Sequence, residues 1–175
     1  MADPARRGRG DKRQALLRFG VALALLVVLF DQLTKWWALG TLGEPPRLIE
    51  VTSFLNFVVV WNRGISFGLM DSDSSVAPWL FVAIAGAVAG GIVFWLTRLT
   101  RRWIAAAFGL VLGGAIGNLI DRAVFGTVTD YLHFRFYSLS FFVNNLADIL
   151  ISLGVLAYLL GAILASRERS GQAVS

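Results

Sequence analysis

The sequence predicts an integral membrane protein of mainly α class: a four-transmembrane-helix bundle with a small external β-sheet and both termini cytoplasmic. Three observations predict it. First, 57% of the 175 residues are apolar and the mean hydropathy is +0.69, more apolar surface than a soluble domain of this size can bury. Second, four apolar runs, near residues 17–39, 79–96, 103–122 and 141–164, approach or exceed the roughly 20 helical residues that cross a hydrocarbon core of about 30 Å. Third, Lys and Arg gather at alternate ends of these runs.

Residues 1–15 form a basic tail that reads as unordered, with Arg6, Arg7, Arg9, Lys12 and Arg13. The first run resembles a cleavable signal peptide up to a point. It continues through Asp31 to Trp37 without a small-residue cleavage site, so a retained anchor is expected. Gly43, Pro45 and Pro46 end it and open an external loop of about residues 40–78. Within that loop residues 48–61 mix Val, Phe and Ile with Thr and Asn, which reads as strand. Pro78 suits the first turn of the second run.

Arg98, Arg101 and Arg102 join the second run to the third, whose glycines at 109, 113, 114 and 117 give small-xxx-small faces for close helix packing. A second external segment, about residues 123–140, contains strand-like residues 128–137. The fourth run ends before Arg167 and Arg169, in a tail of residues 166–175 that also reads as unordered. By the positive-inside rule the basic ends are cytoplasmic and the two acid-bearing loops external. Residues 16–165 are expected to form one membrane domain.

The net charge of +5 does not indicate nucleic acid, because the cations flank apolar runs rather than line a phosphate-gripping surface. The absence of cysteine excludes disulfides, a Cys nucleophile and Cys-based metal sites. A single histidine excludes the paired-histidine zinc peptidase motif. No metal or cofactor is expected.

Polar residues interrupt the runs where lipid disfavours them. Asp31, Gln32, Thr34 and Lys35 lie late in the first run, Asn118, Asp121 and Arg122 late in the third, and Asn144, Asn145 and Asp148 early in the fourth. The topology brings all three groups to the same outer level. Each ionisable group costs about 2.5 to 3.5 kcal/mol on insertion scales, so their concentration marks a candidate site. Spacings of three and four put Asp31 with Lys35, Asn118 with Asp121 and Arg122, and Asn145 with Asp148 on shared helix faces. Simple ion pairing also accounts for Asp31 with Lys35 and for Asp121 with Arg122, and cross-helix hydrogen bonding for Asn118 and Asn145. Asp148 has no adjacent cation in sequence, and His133 sits among aromatics as an interfacial residue.

For an enzyme, a Ser-His-Asp triad lacks its G-x-S-x-G elbow, whereas a serine-lysine pair of Lys35 with Ser53 or Ser66 survives. A pair of carboxylates fits best, since two aspartates in hydrogen-bond range share a proton and divide acid from base. Asp130 and Asp148 are the natural candidates, eighteen residues apart across a chain reversal. An ion-coupled carrier predicts inverted repeats, and the halves show none.

Five motifs then stand in order: Asp31-Gln-Leu-Thr-Lys35, Asn62-Arg-Gly-Ile-Ser-Phe67, Gly113-Gly-Ala-Ile-Gly-Asn-Leu-Ile-Asp-Arg122, Val128-Thr-Asp-Tyr131 and Asn145-Leu-Ala-Asp148. From about Ala15 to Leu164 the chain resembles the signal peptidase II family of aspartyl membrane peptidases. The resemblance implies cleavage of bacterial prolipoproteins immediately before a diacylglyceryl-modified cysteine, with Asp130 and Asp148 as the catalytic dyad. It implies that Asn62, Gly64, Asn118, Arg122 and Asn145 hold the substrate backbone and that Asp31, Lys35 and Asp121 support the site. The expected partners are the lipid-modified prolipoprotein and membrane lipids. A monomer in the inner membrane, with its site near the periplasmic face, is expected. Asn144 departs from the family pattern, which usually has phenylalanine there.

Overall fold

In the computed structural model, residues 4–63, 77–96, 101–137 and 139–172 are described. Helix α1 (Pro4–Ala38) ends in a π-turn at Leu39–Gly43 and leads into strands β1 (Ile49–Glu50) and β2 (Leu55–Asn62). Helices α2 (Ala77–Leu96) and α3 (Arg102–Phe125) follow, then β3 (Val128–Phe136), β4 (Leu139–Asn144) and α4 (Leu146–Gln172). Three described helices are long and apolar enough to cross a membrane: Gly10–Gly43, Arg102–Phe125 and Leu146–Ser166. The apolar stretch Gly86–Trp95 of α2 is shorter.

Three boundaries differ from the sequence reading. Helix α1 begins at Pro4 and α4 runs to Gln172, so helix extends into both tails that read as unordered. Arg, Lys, Gln and Ala are good helix formers, and adding turns to an existing helix costs far less than starting one. The fourth apolar run also splits. Residues 141–144 belong to β4, paired antiparallel with β3, and the helix starts only at Leu146. Phe142 meets Phe134 across the hairpin with ring centroids 5.2 Å apart, a cross-strand contact that favours strand over helix there.

Helix α3 packs between α1 and α4, and its glycines permit the close approach. A Cβ on Gly113 would lie 2.6 Å from the Ala24 carbonyl oxygen of α1, and one on Gly114 would lie 2.7 Å from the Ala147 carbonyl oxygen of α4. Leu16, Ala24, Ala105, Phe108 and Leu112 form the core toward one end of these helices.

At the other end sits a four-stranded antiparallel sheet of order β1-β2-β3-β4. It is docked by Ala38 and Leu42 packing on Tyr131, with Phe57, Val59 and Leu132 around them. Trp37 places its ring edge-on to Phe57 at 5.4 Å. Gly126 (φ 72°) caps α3 in the left-handed region, its N–H donating to the Arg122 carbonyl at 3.0 Å. The chain thus turns directly from α3 into β3, which carries Asp130.

Candidate active site

Helical spacing on α1 stacks Asp31 above Lys35, and both are buried. The Lys35 ammonium donates to Asp31 Oδ2 at 2.8 Å, to Asp121 Oδ2 at 3.1 Å and to Asn118 Oδ1 at 2.9 Å. A lone buried ammonium or carboxylate is very costly, so the cluster is tolerated only because its members satisfy one another. One cation against two anions leaves excess negative charge, and neutral donors meet it. Asp31 Oδ1 accepts the Ala147 N–H at 3.0 Å, and Asp121 Oδ2 accepts the Thr129 N–H at 2.9 Å. Gln32 Nε2 donates to Asp121 Oδ1 at 3.0 Å and to the Gly117 carbonyl at 3.2 Å. Through these contacts α1 and α3 hold both the start of β3 and the start of α4.

Those two starts carry the other aspartates. Asp130 is almost fully buried on β3, opposite Val60 of β2. Its Oδ2 accepts Asn62 Nδ2 at 2.8 Å and its Oδ1 accepts Asn145 Nδ2 at 2.6 Å. Asp148 is half-buried in the first turn of α4, where Oδ1 accepts Asn118 Nδ2 at 2.8 Å. Asn145 caps that helix: its Oδ1 accepts the Asp148 N–H at 3.0 Å, while its own N–H reaches Asp148 Oδ2 at 3.4 Å. This reciprocal arrangement is a capping box with Asp in place of Glu.

The cap is also the link between the two carboxyls. One asparagine donates its side-chain amide to Asp130 and exchanges hydrogen bonds with Asp148, closing the eighteen-residue separation. Burial pushes the Asp130 carboxyl up to about 6, against the opposing pull of the Asn62 and Asn145 amides; the Asp148 charge raises it further and Lys35 lowers it. A carboxyl poised near 6 can exchange protons close to neutral pH.

The remaining candidates are placed as follows. Arg122 donates from Nη1 to the Asn118 carbonyl at 3.5 Å and stands in the field of Asp148, Asp130 and Asp121. Asn62 ends β2 beside Asp130, whereas Gly64 and Ser66 lie outside the described residues. Asn118 and Asn145 lie in the interior, where their amides engage the aspartates. Ser53 is exposed in a cleft with Glu50, Arg135 and Tyr137, while the three donors of Lys35 are committed elsewhere, so these two do not form a nucleophile and base. His133 Nε2 lies 2.7 Å from Ser140 Oγ, on the β3–β4 hairpin. Asn144 is half-buried at the end of β4, paired with Leu132.

Thr129 is not among the expected site residues, and Gln32, although in the polar group late in the first run, has no expected role. Gln32 stood inside the first motif, and its position next to Asp31 on a membrane helix was a usable signal. Thr129 acts through its backbone, which a sequence does not reveal.

Comparison with known proteins places this geometry among relatives. The family model of Signal peptidase (SPase) II matches residues 23–164. A lipoprotein signal peptidase of Sphingopyxis alaskensis is 40% identical over 164 residues, covering 92% of this chain and 94% of its own. One from Methylorubrum extorquens is 39% identical over 150 residues, covering 83% and 86%. A solved bacterial membrane enzyme structure at 1.9 Å resolution is similar with a TM-score of 0.70 and 26% identity, covering 82% of this chain and 91% of that one.

Proposed function

The chain belongs to the signal peptidase II family, and with aspartic peptidase activity in lipoprotein maturation as the premise, we propose that Asp130 and Asp148 are its catalytic dyad. The observation that carries the reading is the Asn145 bridge, which joins two carboxyls from separate elements at one end of the helices. The substrate is a bacterial prolipoprotein, cut immediately before its diacylglyceryl-modified cysteine.

Asp130 receives short hydrogen bonds on both oxygens, which favours its anion and suits it as general base. Asp148 Oδ2 accepts the Asn145 N–H at 3.4 Å, a weaker bond than those on Asp130, and Asp148 takes the role of proton carrier. Asp130 takes a proton from water as the water oxygen bonds to the scissile carbonyl carbon, and Asp148 gives its proton to the carbonyl oxygen. The resulting gem-diol is neutral. Its collapse breaks the C–N bond, with the Asp130 proton passing to the departing amine and a hydroxyl proton returning to Asp148. Arg122 and Asn62 flank this position and supply N–H donors for the substrate backbone, which must unwind locally to be cut. Asn118, Asn145 and the Asp31, Lys35 and Asp121 cluster support the carboxyls.

Charge asymmetry supports a bundle of four spans that includes α2, with cytoplasmic termini in the bacterial inner membrane and the site at the periplasmic level. Exposed Phe136, Leu139, Phe141 and Phe142 suit a sheet that rests on the outer leaflet. The substrate's acyl chains then stay in lipid while its cysteine peptide bond meets the dyad, so the anchor supplies proximity. Incubation of the purified protein with a diacylglyceryl precursor and with its unlipidated twin tests the reading. Cleavage of the lipidated form alone is expected; equal cleavage of both would sink the substrate assignment.

A further inference from the structure

We propose that Lys35 is a positioning residue that sets the direction of the hydrogen-bond chain through Asn118 and Asn145, so that each dyad carboxyl is met by an amide N–H. The inference rests on the dyad reading above and adds to it a reason why an ammonium lies buried behind the site.

An asparagine amide offers a donor on one side and an acceptor on the other, and packing alone does not decide which way it faces. Chemistry decides it here. The ammonium of Lys35 can only donate, and its three hydrogens have three acceptors: Asp31 Oδ2, Asp121 Oδ2 and Asn118 Oδ1. Asn118 must therefore turn its oxygen to Lys35, which aims its nitrogen at Asp148 Oδ1, 2.8 Å away. The same oxygen accepts Asn145 Nδ2 at 3.1 Å.

Asn145 is fixed from its other end. Its oxygen accepts the Asp148 backbone N–H, again a group that can only donate, so its nitrogen points to Asn118 Oδ1 and Asp130 Oδ1. A flipped Asn118 would set N–H against the ammonium and oxygen against the Asp148 carboxyl, losing both contacts. Two groups that can only donate, one at each end, thus polarise the chain in a single direction. The compact ammonium suits this junction better than a planar guanidinium, because its donors spread in three dimensions.

The decisive variant is Asn118→Asp, which matches Asn118 in size and keeps an acceptor for Lys35 and Asn145, but turns the donor facing Asp148 into an acceptor. Turnover of a lipidated precursor is followed in detergent across acid to neutral pH, after a thermal melt has established the fold. The expected result is a fall in kcat of about 100-fold or more near neutral pH with KM little changed. The deficit relative to wild type at the same pH narrows in acid, as the introduced carboxyl takes up a proton and donates again. A second variant, Lys35→Met with Asp31→Asn and Asp121→Asn, removes the buried charges together and keeps acceptors for Ala147 and Thr129. It is expected to lose kcat without that narrowing in acid. Wild-type kcat and pH profile in either folded variant would overturn the inference. Asp130→Asn and Asp148→Asn run alongside as controls: if these retain turnover, the dyad reading itself has failed.

Discussion

The chain places two pairs of aspartates side by side, and they are held in opposite ways. Asp31 and Asp121 share the Lys35 ammonium, and each also accepts a backbone N–H, from Ala147 and from Thr129. Asp130 and Asp148 have no ammonium partner among the described bonds; the side-chain amides of Asn62, Asn145 and Asn118 donate to them, with the longer Asn145 backbone N–H on Asp148. A carboxylate bonded to an ammonium and to fixed backbone donors has its negative charge fully committed, which makes it a fastener. Asp130, held by neutral amides in a buried place, keeps the freedom to gain and lose a proton. On the proposed dyad, the same residue type serves as scaffold or as reagent according to what donates to it.

The sharpest way to break this division is to neutralise one member of each pair. Asp130→Asn or Asp148→Asn is expected to lower kcat by about 10³-fold or more while the protein still inserts and melts cooperatively. Asp31→Asn is expected to do the reverse. It leaves an amide whose single oxygen cannot serve both the Lys35 ammonium and the Ala147 N–H, and costs about 1 to 3 kcal/mol of stability, read by thermal denaturation in detergent, while the folded fraction keeps most of its turnover. A stable but inactive Asp31→Asn protein would merge the two pairs into one.

A pH series sharpens the contrast. The Asp130 carboxyl is raised from 3.8 to about 6 in the folded state. As the proposed general base it must be ionised, so the rate is expected to fall about tenfold per pH unit below about 6. Stability runs the other way. Between the two values the folded protein binds a proton that the unfolded chain releases, so this group's contribution is present in acid and is lost as pH rises through about 6. The full difference is at most about 3 kcal/mol. Asp130→Asn should lack this component, so comparing the melting profiles of wild type and variant from pH 4 to 7 isolates it. Identical profiles would contradict an Asp130 that titrates in this range.

The helices of the bundle and the gathering of polar groups at one end were legible because hydropathy and charge act over long stretches. The start of α4 was not. Residues 141–144 are apolar, and a short apolar run reads equally as helix or as strand until its partner strand is known. Asn145-Leu-Ala-Asp148 carried the missing signal, since an Asn three residues before an acid can box a helix N-terminus. The pairing of Asp130 with Asp148 was a matter of elimination and resemblance; the Asn145 bridge supplies the physical link. The resemblance implies that Asn118 and Asn145 hold substrate backbone; within the chain their amides donate to Asp148 and Asp130. Those bonds cross 30 and 15 residues of sequence, and no local pattern encodes them.

The smallest effects come from the glycines, and they test whether the fastening pair can be loosened without touching the reactive one. A Cβ on Gly117 of α3 would lie 3.0 Å from Asp31 Cγ, so Gly117→Ala must shift either α1 or the Asp31 side chain. Overpacking of this kind costs about 1 to 3 kcal/mol. A methyl group on Gly90 in α2 would meet nothing within 4 Å, and alanine there is expected to be neutral or to stabilise by up to about 1 kcal/mol. Because the strain at Gly117 falls on Asp31 and not on Asp130, its melting temperature should drop while kcat in the folded fraction stays near that of wild type. If instead kcat collapses at unchanged stability, Asp31 transmits its position to the dyad, and the line between fastener and reagent lies closer to Asp130 than the hydrogen bonds imply.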